Sequence, residues 1–214
     1  LRARRHAIER KRTERKSRAL LQAHEGRKKA EEAERRASFL AQVSHALAAS
    51  LDYRTTLETV ADLVVRKLGD LCWIDVIERE RGMLRIAVSH AGPELADVAR
   101  SLRQVSGERG DAACDPLTAA LAQGSVWEVI LTEDMVDAFT TGEADRRAWS
   151  RLCGARLLAV PFRHDATPGL IAVVRRDGGR GFDTEFRSLL FDLAARVGIA
   201  VDNCRLYREA REAI

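Results

Sequence analysis

Between residues 53 and 68 the apolar positions fall at helical spacing: Leu57, Val60, Ala61, Val64, Val65 and Leu68 lie at i, i+3, i+4, i+7, i+8 and i+11. Asp52 precedes them as an N-cap and Gly69 follows as a C-cap, which predicts a core-facing helix. The period then changes. LCWIDVIE (71–78) and MLRIAVSH (83–90) are strand-like segments joined around Glu80-Arg81-Gly82, the composition of a hairpin. Strict alternation in the second places Leu84, Ile86, Val88 and His90 on one face and Arg85, Ala87 and Ser89 on the other. Residues 92–154 are less regular, with helical stretches at 93–104, 116–123 and 143–152 and a short strand, SVWEVI, at 125–130. ARLLAVPFR (155–163), a turn from His164 to Gly169, and LIAVVRR (170–176) predict a second hairpin, followed by a helix from near Asp183.

In that last helix Phe186, Leu189, Leu190, Leu193, Ala194, Val197, Val201 and Cys204 form one apolar stripe, while Ile199, Leu206 and Ala210 lie off it. One stripe serves the core; the other is available to a partner helix. Helices at both ends with antiparallel hairpins between them predict an α+β fold, terminal helices on one sheet face and crossovers on the other.

The first 37 residues differ in kind. They hold no proline and one glycine, Gly26, and Arg, Lys, Glu, Ala and Leu dominate, which predicts a long solvated helix over 1–37 ahead of a globular domain over 38–214. A 4-3 spacing from Ala19 picks out Ala23, Gly26, Ala30, Ala33, Ala37, Leu40, Ser44, Leu47 and Leu51, a small-residue seam against which a second helix of a coiled coil could pack. With Ile199 and Leu206, the residues Ala30, Ala33, Ala37, Leu40 and Leu47 are the candidate dimer contacts.

Charge sharpens this division. Of 36 Lys and Arg and 32 Asp and Glu in the 214 residues, residues 1–36 take 14 basic against 6 acidic, leaving 22 basic and 26 acidic beyond. The basicity belongs to the helix. A basic helix also admits nucleic-acid or juxtamembrane readings, but aromatic residues and groove-reading motifs are missing and glutamates interrupt the run, so no nucleic-acid partner is expected. Membrane contact is expected only if a spanning segment lies upstream. The longest apolar runs are about six residues against the roughly 20 of a spanning helix, so the chain is expected to be soluble. It opens at Leu1 and closes in REAREAI without a helix stop, and is expected to be a piece of a longer protein. Cys72, Cys114, Cys153 and Cys204 lie far apart without metal or disulfide spacing, which fits a reduced, cytoplasmic setting.

Chemistry-bearing candidates are few. Trp73 and Asp75 alternate with Cys72, Ile74 and Val76, reading either as a solvated strand face or as a pocket wall with Asp75 as acceptor; His90, Trp127 and Trp149 carry the same two readings. Cys114 lies between Asp111 and Asp115, which would raise its thiol pKa and disfavour nucleophilic use. His90 and His164 lack a paired ligand for haem or iron, no metal site is expected, and no cofactor is assigned. FLAQVSH (39–45) is similar to the phosphoacceptor box of histidine kinases, yet His45 is followed by Ala46-Leu47-Ala48-Ala49-Ser50, without the acid that activates such a histidine. His45 therefore reads as a helix-flank residue.

FLAQVSHALAASLDYRTTLETVADLVVRKLGDLCWIDVIE resembles the opening of a GAF domain: helix, SLD junction, second helix, first strand. ARLLAVPFRHDATPGLIAVVRRDGGRGFDTEFRSLLFDLAARVGIAVDNCRLYREA is similar to the closing signature, from Val-Pro-Phe to Asn203-Cys204-Arg205-Leu206-Tyr207. The resemblance covers residues 38–212. It implies a six-stranded antiparallel sheet, terminal helices on one face, a small-molecule pocket under the crossovers, homodimerisation through the terminal helices, and a sensory role upstream of a histidine kinase or similar output. The Asn-Lys-Phe-Asp-Glu signature of cyclic-nucleotide binders is absent, and Cys153-Gly154 is not the Cys-His context of bilin binders. The function expected is non-enzymatic relay of a small-ligand or partner signal. The alternatives are a ligand-free dimerisation spacer whose pocket is filled by Trp73 and Trp127, and a cysteine-based methionine sulfoxide reductase.

Overall fold

The computed structural model describes residues 2–49, 52–78, 82–104, 117, 123–140, 142–164, 167–176 and 181–212. By its contacts the chain divides into residues 1–42 and 43–214. Helix α1 (Arg2–Ala48) is continuous over 47 residues. Within the first unit, residues 21–30 are exposed, as are Ala33 and Ala37; Leu40 is half-buried. Arg27 and Lys28 pair one turn on with Glu31 and Glu32, the expected support for a solvated helix. No helix among the described residues is long and apolar enough to cross a membrane.

The second unit is the α+β domain. Helix α2 (Tyr53–Lys67) is capped by the Asp52 side chain, which accepts from the Arg54 amide and the Thr55 hydroxyl. It buries Leu57, Val60, Ala61, Val64 and Val65, as the spacing predicts. Its C-cap is Leu68 rather than Gly69. Gly69 is instead where the chain passes close to the neighbouring strand: a Cβ there would lie 3.0 Å from the Val174 carbonyl oxygen and 2.5 Å from a Val173 methyl.

Strands β1 (Leu71–Glu78), β2 (Gly82–His90), β3 (Trp127–Ile130), β4 (Arg156–His164) and β5 (Thr167–Arg175) form one antiparallel sheet in the order β2-β1-β5-β4-β3. The sheet has five strands among the described residues, not six. The second hairpin is tighter than the sequence predicts, because Thr167–Gly169 already pair with Phe162–His164. Gly169 permits this: a Cβ would collide with the Phe162 ring and the Asp75 carbonyl oxygen.

A 3-10 turn (Pro93–Leu95) leads into α3 (Ala96–Gln104), and α4 (Glu133–Phe139) and α5 (Glu143–Ser150) follow β3. Of the helix expected at 116–123, only Leu117 and Gln123 are among the described residues. Helix α4 was not expected; it is capped by Thr132, whose hydroxyl accepts from the Met135 amide. Helix α6 (Thr184–Glu212) closes the chain. It buries Phe186, Leu190, Leu193, Ala194, Val197, Val201 and Cys204 against the sheet, while Leu189 is half-buried and Ile199 and Leu206 are exposed.

Helices α2 and α6 cover one face of the sheet, which presents Cys72, Ile74, Val76, Val160, Ile171 and Val173. The opposite face carries Leu71, Trp73, Leu157, Ala159, Leu170, Ala172 and Val174 beneath α3, α4 and α5. Both faces of β1 are therefore buried, and the solvated-face reading of Trp73 and Asp75 fails.

Candidate functional site on the crossover face

The site begins with a β-bulge. Ile74 pairs with Ala87, but Asp75 pairs with Arg85, so Ile86 is an extra residue in β2. Beyond the bulge the alternation inverts. Arg85 joins Val88 and His90 on the crossover face, whereas Leu84, Ala87 and Ser89 share the helix face, contrary to the strict alternation expected from sequence.

The inversion sets Arg85 directly opposite Asp75. Its Nε and one terminal nitrogen each donate to a different Asp75 carboxylate oxygen at 2.8 Å, with the two side chains only 4% and 1% exposed. The other terminal nitrogen donates at 3.3 Å to the Leu102 carbonyl in the last turn of α3. The guanidinium carbon also lies 5.4 Å from the centroid of the Trp73 ring. One arginine thus ties β2 to β1 and to α3. A buried pair of this kind contributes little net stability relative to hydrocarbon of the same shape, though losing one partner is costly.

Aromatic rings extend the cluster. Trp73 meets Trp149 edge-on at 6.3 Å, Trp149 stacks on Phe139 at 5.5 Å, and Phe139 meets Trp127 edge-on at 6.2 Å. The Trp149 indole nitrogen donates to the Ser101 hydroxyl at 3.3 Å. That of Trp73 is buried and has no hydrogen-bond partner among the described residues.

Of the candidates named from sequence, Trp73, Asp75, Trp127 and Trp149 are brought together by Arg85 and Phe139. His90 stands at the end of β2, opposite Leu71, with Nδ1 2.9 Å from the Gly92 carbonyl oxygen, outside this chain of contacts. The linking residues were missed for identifiable reasons: Phe139 belongs to the unexpected α4, and Arg85 was assigned to the wrong face. Cys72 is buried on the other face, and burial, reinforced by Asp62 and Asp75, pushes its thiol far up. Exposed Cys153 is also raised, by partial burial and then by Glu133 and Asp137. Cys114 lies outside the described residues.

The GAF domain family model matches residues 50–202, and the chain belongs to that family. No curated protein matches it. Solved GAF domains share the fold at low identity. One from a phosphoenolpyruvate-protein phosphotransferase of Coxiella burnetii is 11% identical, with TM-score 0.60 over 84% of this chain and 97% of that one. The GAF domain/HD domain protein of Geobacter sulfurreducens is 13% identical, with TM-score 0.56 over 75% and 98%. The phycoerythrobilin-bound GAF domain of a cyanobacterial phytochrome is 15% identical, with TM-score 0.55 over 81% and 97%.

Proposed function

We propose that this is a non-enzymatic sensory and regulatory GAF domain of a cytoplasmic signalling protein, which reads a small ligand or partner at the crossover face and relays it through paired terminal helices. The observation that carries the reading is the Asp75–Arg85–Leu102 connection. It joins a central strand, an edge strand and the end of α3, so an event that moves α3 acts on the sheet beneath α6. The unpartnered Trp73 indole N–H offers a donor to an acceptor entering from that side. At the other end of the relay, Ile199 and Leu206 are 44% and 50% exposed on α6, off its core stripe, and suit a second copy of the helix. The signal is a population shift between two helix arrangements, delivered to an output such as a histidine kinase.

A second reading has its own support: Trp73 is wholly buried and Trp149 nearly so, which fits a spacer whose crossover face is filled by its own side chains. Native mass spectrometry before and after denaturation separates the two. A dimer with retained small-molecule mass is the expected result; a bare dimer whose melting temperature no ligand moves favours the spacer, and a monomer overturns the relay.

A further inference from the structure

The basic charge of α1 is concentrated at its start. Residues 2–18 hold nine Lys and Arg against two Glu, whereas residues 19–37 hold five against four. In the later stretch Arg27 and Lys28 meet Glu31 and Glu32 one turn on, at 2.8 and 3.8 Å. Two glutamates cannot balance nine cations in this way, so residues 2–18 keep a net positive charge whatever pairs they form.

The order of the nine matters as much as their number. Helix α1 runs unbroken from Arg2 to Ala48, so each position is turned by about 100° from the one before. That period brings Arg4, Lys11, Arg15 and Arg18 within an arc of roughly 60°, and Arg5, Arg12 and Lys16 extend the arc to roughly 160°. Glu9 and Glu14 fall outside it, with Arg2 and Arg10. Seven cationic positions therefore share one side of a helical stretch about 25 Å long, and no acidic position interrupts them. Like charges at i, i+4, as at Lys11 with Arg15 and Arg12 with Lys16, destabilise an isolated helix, and an extended anionic surface offsets that cost.

A one-sided arc suits a plane. Residues 2–18 contain no Asn or Gln to read adenine and no aromatic ring on which a base could stack, which disfavours nucleic acid. Ile8 is their only apolar residue larger than alanine, too little for insertion into hydrocarbon. No helix among the described residues is apolar enough to cross a bilayer, so attraction to lipid here would be peripheral and electrostatic.

We infer that residues 2–18 of α1 dock on the surface of an anionic phospholipid bilayer, with the seven-cation side towards the headgroups. The contact needs no spanning segment upstream, and it stands apart from the crossover-face reading.

Co-sedimentation of the chain with phosphatidylcholine vesicles, with and without about 30% phosphatidylserine, tests it. The chain should bind only the phosphatidylserine vesicles and should be released by about 0.5 M NaCl, where screening shortens the reach of each charge to a few ångströms. Lys11→Gln/Arg15→Gln, within the arc, should weaken binding by on the order of 30-fold. Arg2→Gln/Arg10→Gln removes the same charge from outside the arc, across a helix about as wide as a Debye length, and should weaken it distinctly less. The inference is overturned if neither vesicle binds, if pure phosphatidylcholine binds equally, if binding survives the salt, or if the two double variants lose equally. Tighter binding to a short DNA duplex than to the vesicles, at equal phosphate concentration, would overturn it in favour of nucleic acid.

Discussion

The two faces of β1 differ in chemistry although both are buried. Cys72, Ile74 and Val76 point towards α2 and α6 and offer only hydrocarbon and a thiol. Leu71, Trp73, Asp75 and Ile77 point towards the crossovers and include a fully buried carboxylate, met by the guanidinium of Arg85 from β2, and an indole without an acceptor among the described residues. The helix face needs only volume and shape. The crossover face holds charged groups that are expensive to bury, so a lost partner there is costly.

Removing one member of the ion pair should produce the largest effect. Asp75→Ala leaves a buried guanidinium unpaired and should cost about 3–5 kcal/mol. The double variant Asp75→Leu/Arg85→Met should restore stability to within about 1 kcal/mol of the parent or exceed it, read from urea denaturation midpoints. If the single change cost under 1 kcal/mol, the contrast between the faces would collapse. On the helix face, Ile74→Ala should cost about 3 kcal/mol by leaving a cavity, yet leave the near-ultraviolet circular dichroism of the tryptophans unaltered. Trp73→Phe trades ring area against the removal of an unsatisfied N–H, and should change stability by no more than about 2 kcal/mol while altering that signal.

The smallest effect concerns the edge of the helix layer. The Thr55 hydroxyl, helped by the Arg54 amide, holds the Asp52 carboxyl below its usual range. A carboxyl depressed in the native state stabilises it above the unfolded pKa, near 4, and loses that contribution as pH falls through the native value. Asp52→Asn keeps the cap but not the charge, so its melting temperature should lie slightly below the parent's at pH 7 and converge on it as the pH falls through the native value. A constant offset would show that the charge has no role.

Much of this architecture is legible in residue spacing, and the exceptions have physical causes. The apolar stripes of α2 and α6 name their buried residues almost one for one, because helical periodicity reports burial whenever one side faces a core. Alternation in β2 misleads, since a single inserted residue, Ile86, reverses every side chain before it. Nothing local marks that insertion; it exists only relative to β1. Trp73 and Asp75 are legible as a pair apart from their neighbours, but that β1 is covered on both sides depends on helices far along the chain. Helix α4 is too short, at seven residues, to show a period, and with it went Phe139, the ring that joins Trp127 to Trp149. Gly69, by contrast, was a good helix-ending residue whose actual constraint is the approach of β5.

Backbone hydrogen exchange in the Asp75→Leu/Arg85→Met variant bears most directly on the claim that the crossover face is coupled to the terminal helices. That variant is expected to retain global stability, so a local change in exchange reports coupling rather than unfolding. Relay through the sheet predicts faster exchange both in residues 93–104 and in residues 184–212. A change confined to 93–104, with α6 exchanging as in the parent, would contradict it.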